Sequence, residues 1–168
     1  MSTLWQHAAS FAANAHKHQT RNDGTPYVSH LFRVAMTIAL RFDVQDEEVL
    51  AAALLHDVIE DCDVDYDEVC ELFGRRVADL VAVMTKDMRL EETMREVAYD
   101  KQLADGPWEG RLIKLADVYD NFIDADSDHM KSKMNVRASR ILTLTANDEL
   151  LEDARLQLVQ LLEGAKAC

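Results

Sequence analysis

Apolar residues recur along this chain at spacings of three and four rather than two, the signature of helices that each bury one face. Over residues 3–18 the stripe is Leu4, Ala8, Phe11, Ala12 and Ala15. The loop "QTRNDGTPY" follows, and a second helix is predicted from about His30 to Phe42. Asp46 is a good N-cap for a third helix, with Glu47 and Glu48 in its first turn, running to about Asp61. This third helix is apolar nearly all round, which predicts a central position. Asp65 to Glu68 reads as a capping box for a short helix that stops at Gly74, and "RRVADLVAVMTK" forms the next one. Residues 91–104, 108–125, 130–145 and 147–164 supply four more, with Gly106-Pro107 as a break and Asn147 as a cap. The expectation is an all-α bundle of about eight to nine helices. The last stripe, in "DELLEDARLQLVQLLEGAK", either closes the core or forms the seam of a homodimer.

At 168 residues the chain is long enough for one domain, 1–168, with a core of its own. No apolar stretch approaches the roughly 20 residues of a membrane span, and "MSTLWQHAAS" lacks the basic start and apolar middle of a signal peptide, so a cytoplasmic location is expected. Cys62, Cys70 and Cys168 form no CxxC pair, which disfavours a disulfide framework or thiolate zinc site and predicts reduced thiols. A formal net charge of −13 repels phosphate backbones and anionic membranes, so neither nucleic acid nor a membrane is an expected partner. A small anionic substrate would need a metal or local cations to overcome the same field.

The stretch "AALLHDVIEDCDVDYDE" carries His56, Asp57, Glu60, Asp61, Asp63, Asp65, Asp67 and Glu68 without one Lys or Arg. On a continuous helix His56 would stack above Glu60 and Asp57 above Asp61, so that imidazole and carboxylate converge on one point. Acids at a helix C-terminus oppose the macrodipole by roughly 0.3 to 1 kcal/mol per charge, and a divalent cation offsets this directly. Mixed imidazole and carboxylate ligation suits a first-row ion of Mn, Fe or Zn type. Asp63 to Glu68 read equally as a solvated loop with capping roles. Further ligands must come from other helices, and His30 and Asp117 are candidates because each interrupts or opens an apolar helical stretch.

The order His, His-Asp, then a distant Asp resembles the HD-domain metal-dependent phosphohydrolases, and among them the hydrolase domain of the RelA/SpoT alarmone enzymes and its free-standing small versions. Four segments carry the resemblance: "AHKHQTRNDGTPYVSH", "AALLHDVIED", "FGRRVADLVAVMTK" and "KLADVYDN", spanning residues 15–121 in the family's order. The resemblance implies metal ligands at His30, His56, Asp57 and Asp117 with Mn2+ as the usual ion. It implies Glu60 and Asp61 as the acidic pair that orients and deprotonates the attacking water, and Arg21 and Asn121 as substrate contacts. The implied reaction removes the 3′-pyrophosphate from (p)ppGpp, a small nucleotide.

Asn22, Leu31, Val118, Asp120 and Ile123 depart from the family pattern, several of them where basic or aromatic residues are common. Arg111, Lys114, Lys131, Lys133 and Arg137 are candidate replacement cations, and Tyr27 and Tyr119 either stack on a base or pack. His16 and His18 flank the loop that carries Arg21. Two other readings stay open: an HD enzyme acting on ppApp, an NADPH phosphate or nucleoside monophosphates, and a non-enzymatic nucleotide-binding domain.

Overall fold

Ten α-helices and one 3-10 turn account for the regular structure in a computed structural model that describes residues 3–165. The all-α architecture expected from the periodicity is the one observed. Helix α1 (Leu4–Ala15) and α2 (Val28–Leu40) pack on α3 (Glu47–Leu55), whose Ala51, Ala52, Ala53, Leu54 and Leu55 are all buried. Each buried leucine there contributes about 1.5–3 kcal/mol, and the three alanines let neighbouring helices approach closely. Asp46 caps α3 by accepting from the amides of Glu48 and Val49 at 2.9 and 3.3 Å.

The helix expected to run to Asp61 is interrupted. After α3 the chain turns at His56 and Asp57 and resumes as the single-turn α4 (Val58–Asp61). Asp57 sits at φ −104°, ψ −3°, the bridge region that a short polar residue tolerates. An uninterrupted apolar pattern cannot announce such a turn, because the residues on either side stay buried.

Helices α5 (Tyr66–Phe73) and α6 (Arg75–Met84) meet at Gly74, whose φ of +88° suits glycine. Asp65 caps α5 through the Glu68 amide at 2.9 Å. Helix α7 (Glu92–Asp105) ends at the Gly106-Pro107 break, and α8 (Trp108–Ile123) crosses the centre of the bundle against α2, α6, α9 (Asp128–Leu144) and α10 (Glu152–Gly164). Gly110 permits the α6 crossing, since a Cβ there would lie 2.7 Å from the Val83 Cγ1. Asn147 is not the cap of the last helix. A 3-10 turn, Glu149–Leu151, comes first, and α10 begins at Glu152. Asp148 is drawn instead to Arg111, 2.7 Å away. Ala154 and Leu158 of α10 are buried, so the stripe closes the core.

No helix among the described residues is long and apolar enough to cross a membrane. Cys62 and Cys70 are free thiols, while Cys168 lies outside the described residues.

Candidate metal centre

Segments distant in sequence meet at one cleft of about 220 Å³: α2 and the hairpin before it, the α3–α4 turn with α4, the end of α6, α7, the middle of α8, and α9. Its wall includes Arg21, His30, His56, Asp57, Glu60, Asp61, Asp117 and Asn121, every site residue expected from the sequence.

The hairpin is built by backbone bonds from Arg21 N to Thr25 O (2.8 Å) and from Tyr27 N to Gln19 O (2.9 Å), with Gly24 at φ +86° in its turn. Asp23 fixes the tip by accepting from the Thr25 amide and hydroxyl at 2.9 and 2.7 Å. Arg21 and Tyr27 are thereby aimed into the cleft. Arg21 donates to the Asn121 Oδ1 at 2.8 Å and to Asp124 at 3.2 Å.

His30, His56 and Asp117 are buried, and each brings one ligand atom within 4.8 Å of the others. The Nε2 of His30 lies 3.2 Å from Asp117 Oδ1 and 3.9 Å from Asp57 Oδ2. The Nε2 of His56 lies 3.2 Å from Asp57 Oδ2 and 3.8 Å from Asp117 Oδ1. Asp57 flanks the trio, with its Oδ2 accepting from the Tyr27 hydroxyl at 2.7 Å.

Protons are disposed so that the cleft is rich in electron pairs. His56 Nδ1 is 2.8 Å from the Ala53 carbonyl, which can only accept, so Nδ1 carries a proton and Nε2 does not need one. That Nε2 is buried and has no hydrogen-bond partner among the described residues. His30 Nδ1 is likewise 2.7 Å from the Asp120 carboxylate, leaving its Nε2 lone pair facing Asp117. Two imidazole lone pairs turned toward two carboxylates repel unless a cation or extra protons lie between them. A divalent ion fits this donor set, two nitrogens and two carboxylates without sulfur.

Without an ion, protons take its place. Burial works against the imidazolium of His56, but Asp57 and Asp117 outweigh it and raise the pKa well above the ordinary value. The His30 pKa is raised for the same reason, burial being overcome by Asp117 and Asp120. Burial alone would raise the Asp117 carboxyl, yet Lys114 and the two histidines hold it well below the usual range. Asp61 goes the other way: burial, then the Asp57 charge, raise its pKa.

Glu60 and Asp61 do not extend the His56 and Asp57 rails of one continuous helix, because the turn intervenes. They reach the cleft from α4 instead. Glu60 accepts from the Lys86 amide at 3.0 Å, and Asp61 lies 3.3 Å from the Tyr27 hydroxyl.

The cleft also holds cations that the sequence did not single out, or only as one choice among several. Lys86, Lys114 and Arg137 line it. Lys114 donates to Asp117 at 2.7 Å and Lys86 to Glu96 at 2.6 Å. Arg111 does not contribute, being bound to Asp148 and to the carbonyls of Leu103 and Gly106. Lys131 is exposed, and Lys133 lines an adjoining recess of about 600 Å³ that shares Arg21, Tyr27, Asn121 and Arg137 with the cleft. Tyr119 packs, edge-on to Phe42 at 6.3 Å. His16 is buried and stacks on Tyr27 at 4.9 Å, whereas His18 is exposed. Tyr27 is thus packed by His16 on one face while its hydroxyl engages Asp57 and Asp61. Asp120 was visible only as a departure from a pattern; its spacing of three from Asp117 in a buried helix is the signal that places both on one face.

Comparison with known proteins agrees with this architecture. A family model described as "HD domain" matches residues 8–106. The chain is 39% identical over 125 residues to guanosine-3′,5′-bis(diphosphate) 3′-pyrophosphohydrolase MESH1 of Drosophila melanogaster, covering 73% of this chain and 70% of that one. It is 35% identical over 163 residues to the Mus musculus protein of the same name, covering 91% of each. A solved structure described as a metazoan ortholog of SpoT that hydrolyses ppGpp superposes with a TM-score of 0.86 at 29% identity, over 100% of this chain and 98% of that one. The chain belongs to the HD-domain family.

Proposed function

We propose that this HD-domain chain is a metal-dependent phosphohydrolase that removes the 3′-pyrophosphate from (p)ppGpp-like alarmones. The observation that carries the reading is the His56 Nε2, buried without a hydrogen-bond partner among the described residues, close to Asp57 and Asp117 and beside the His30 ring. In this reading His30, His56, Asp57 and Asp117 hold one divalent ion, Mn2+ being the expected species. When bound, such an ion polarises a phosphoryl oxygen and lowers the pKa of water beside it.

The remaining residues have separate tasks. Water attacks the phosphorus of the 3′-pyrophosphate; the new P–O bond forms as the bond to the ribose 3′-oxygen breaks, releasing pyrophosphate and GDP or GTP. Glu60 and Asp61 orient the water and accept its proton, and burial with the Asp57 charge raises the Asp61 pKa, which makes it a better proton acceptor than an ordinary carboxylate. Tyr27 holds Asp57 and Asp61 in place through its hydroxyl. Arg21 and Asn121, joined at 2.8 Å, contact the substrate, and Arg137, which lines the same cleft, supplies further positive charge. These cations offset locally the −13 charge that would otherwise repel a highly anionic nucleotide. The same net charge supports a free small nucleotide rather than a nucleic acid as substrate.

A second reading, another nucleotide within the same reaction class, is favoured by the recess beside the cleft, where Asp23, Asp124, Asp126 and the exposed Ile123 stand. Purified protein with Mn2+ would be offered ppGpp, ppApp, NADPH and deoxynucleoside monophosphates, with products separated by ion-exchange chromatography. Metal-dependent release of GDP and pyrophosphate from ppGpp is expected. Preferential turnover of another nucleotide moves the assignment to the second reading, and inertness toward all four overturns the enzyme.

A further inference from the structure

His30 and His56 are held from behind by different chemistry. His56 Nδ1 meets a neutral carbonyl, Ala53, at 2.8 Å, whereas His30 Nδ1 meets a carboxylate, Asp120, at 2.7 Å. Asp120 is only 4% exposed, so its charge acts through little water. Arg33 clamps it as well, donating Nε to Oδ1 at 2.7 Å and a terminal nitrogen at 3.0 Å to Oδ2, the oxygen that meets His30. Arg33 also donates to Asp124, the carboxylate that anchors Arg21 at 3.2 Å.

We infer that Asp120, clamped by Arg33, is a positioning residue that fixes the tautomer, orientation and basicity of His30 for metal binding. The inference rests on the metal-centre reading above. A carboxylate 2.7 Å from Nδ1 requires a proton on that nitrogen, so Nε2 is the atom left to donate. The partial negative charge pushed onto the ring makes Nε2 a stronger ligand than its counterpart on His56. Arg33 sets the angle of the carboxylate by a two-pronged bond, which a lysine could not reproduce. Arg33 and Asp120 come from α2 and α8, 87 residues apart, so the pair also locks the two helices that carry His30 and Asp117.

The test measures Mn2+ binding by calorimetry to wild type, Asp120→Asn, Arg33→Gln and His56→Ala, together with long-range 1H–15N spectra of the Zn2+-loaded proteins and thermal melts without metal. Asp120→Asn should weaken Mn2+ about 10- to 100-fold and move the His30 Nδ1 proton resonance upfield. Arg33→Gln leaves Asp120 in place and lies on the half-exposed side; it should weaken Mn2+ about two- to fivefold. It decides the matter if Asp120→Asn does not fold. A purely structural role would lower the melting temperature and leave affinity and the His30 resonance unchanged, overturning the inference. Wild-type Mn2+ affinity in a folded Asp120→Asn, beside lost binding in His56→Ala, overturns this inference alone. Mn2+ bound undiminished by His56→Ala overturns the metal centre itself.

Discussion

Two clusters of charged side chains lie within reach of one another, and they are finished differently. In the first, between α7 and α9, Lys86 and Arg140 face Glu96 and Asp100. Lys86 bonds Glu96 at 2.6 Å, and Arg140 bonds Glu96 at 2.7 Å and Asp100 at 2.6 Å. Two cations meet two anions, and Lys86 and Arg140 hold the Glu96 carboxyl below its ordinary pKa despite its partial burial. In the second, the cleft, the buried His56 Nε2 has no hydrogen-bond partner among the described residues, and two carboxylates face two imidazole nitrogens. The first cluster is complete as folded. The second is complete only with a positive charge supplied from outside, which is what separates a binding site from a structural ion network.

Breaking the open cluster should cost the most. His56→Ala or Asp117→Ala should reduce Mn2+ affinity by more than the roughly 100-fold that loss of an outer partner typically costs, measured by calorimetry, and abolish turnover with it. Glu60→Gln spares the ligands, so metal binding should persist while kcat falls about 100-fold or more. Unchanged kcat in that variant would remove Glu60 from proton transfer.

The two clusters also respond differently to acidity. The pKa values of His30 and His56 are raised in the metal-free protein, so the folded state there binds protons more tightly than the unfolded chain. Their contribution to stability is fully present below the unfolded histidine pKa of about 6.5 and is lost as pH rises through the folded values. Metal-free protein should therefore melt at progressively lower temperature above about pH 6.5, and saturating Mn2+ should flatten that decline. The closed cluster predicts less. Arg140→Gln should leave kcat unchanged and lower stability by about 1 kcal/mol or less, as expected for a partly exposed network. Gly110→Ala probes packing alone: its new Cβ meets Val83 at 2.7 Å, which should cost about 1–3 kcal/mol in denaturant melts without changing metal affinity.

Much of this was legible in the linear chain, for a physical reason. The caps at Asp46 and Asp65 and the break at Gly106-Pro107 are local features, and each is observed as expected, while helix periodicity gives the all-α architecture. Residues whose polarity conflicts with a buried helix, such as His56 and Asp117, also stand out locally. Relations across distance do not. Tyr27 meets Asp57 over 30 residues and His30 meets Asp120 over 90, and no spacing rule connects them. The turn at His56 and Asp57 was hidden because burial continues through it. The last helix begins later than its pattern suggests because a 3-10 turn, Glu149–Leu151, precedes it, and Asp148 beside that turn pairs with Arg111, 37 residues away.

The most direct test of the metal centre is crystallographic: crystals grown with Mn2+ and measured on the manganese absorption edge. The account predicts one anomalous peak enclosed by His30 Nε2, His56 Nε2, Asp57 and Asp117. No peak there at saturating Mn2+, or a peak elsewhere on the molecule, would contradict it.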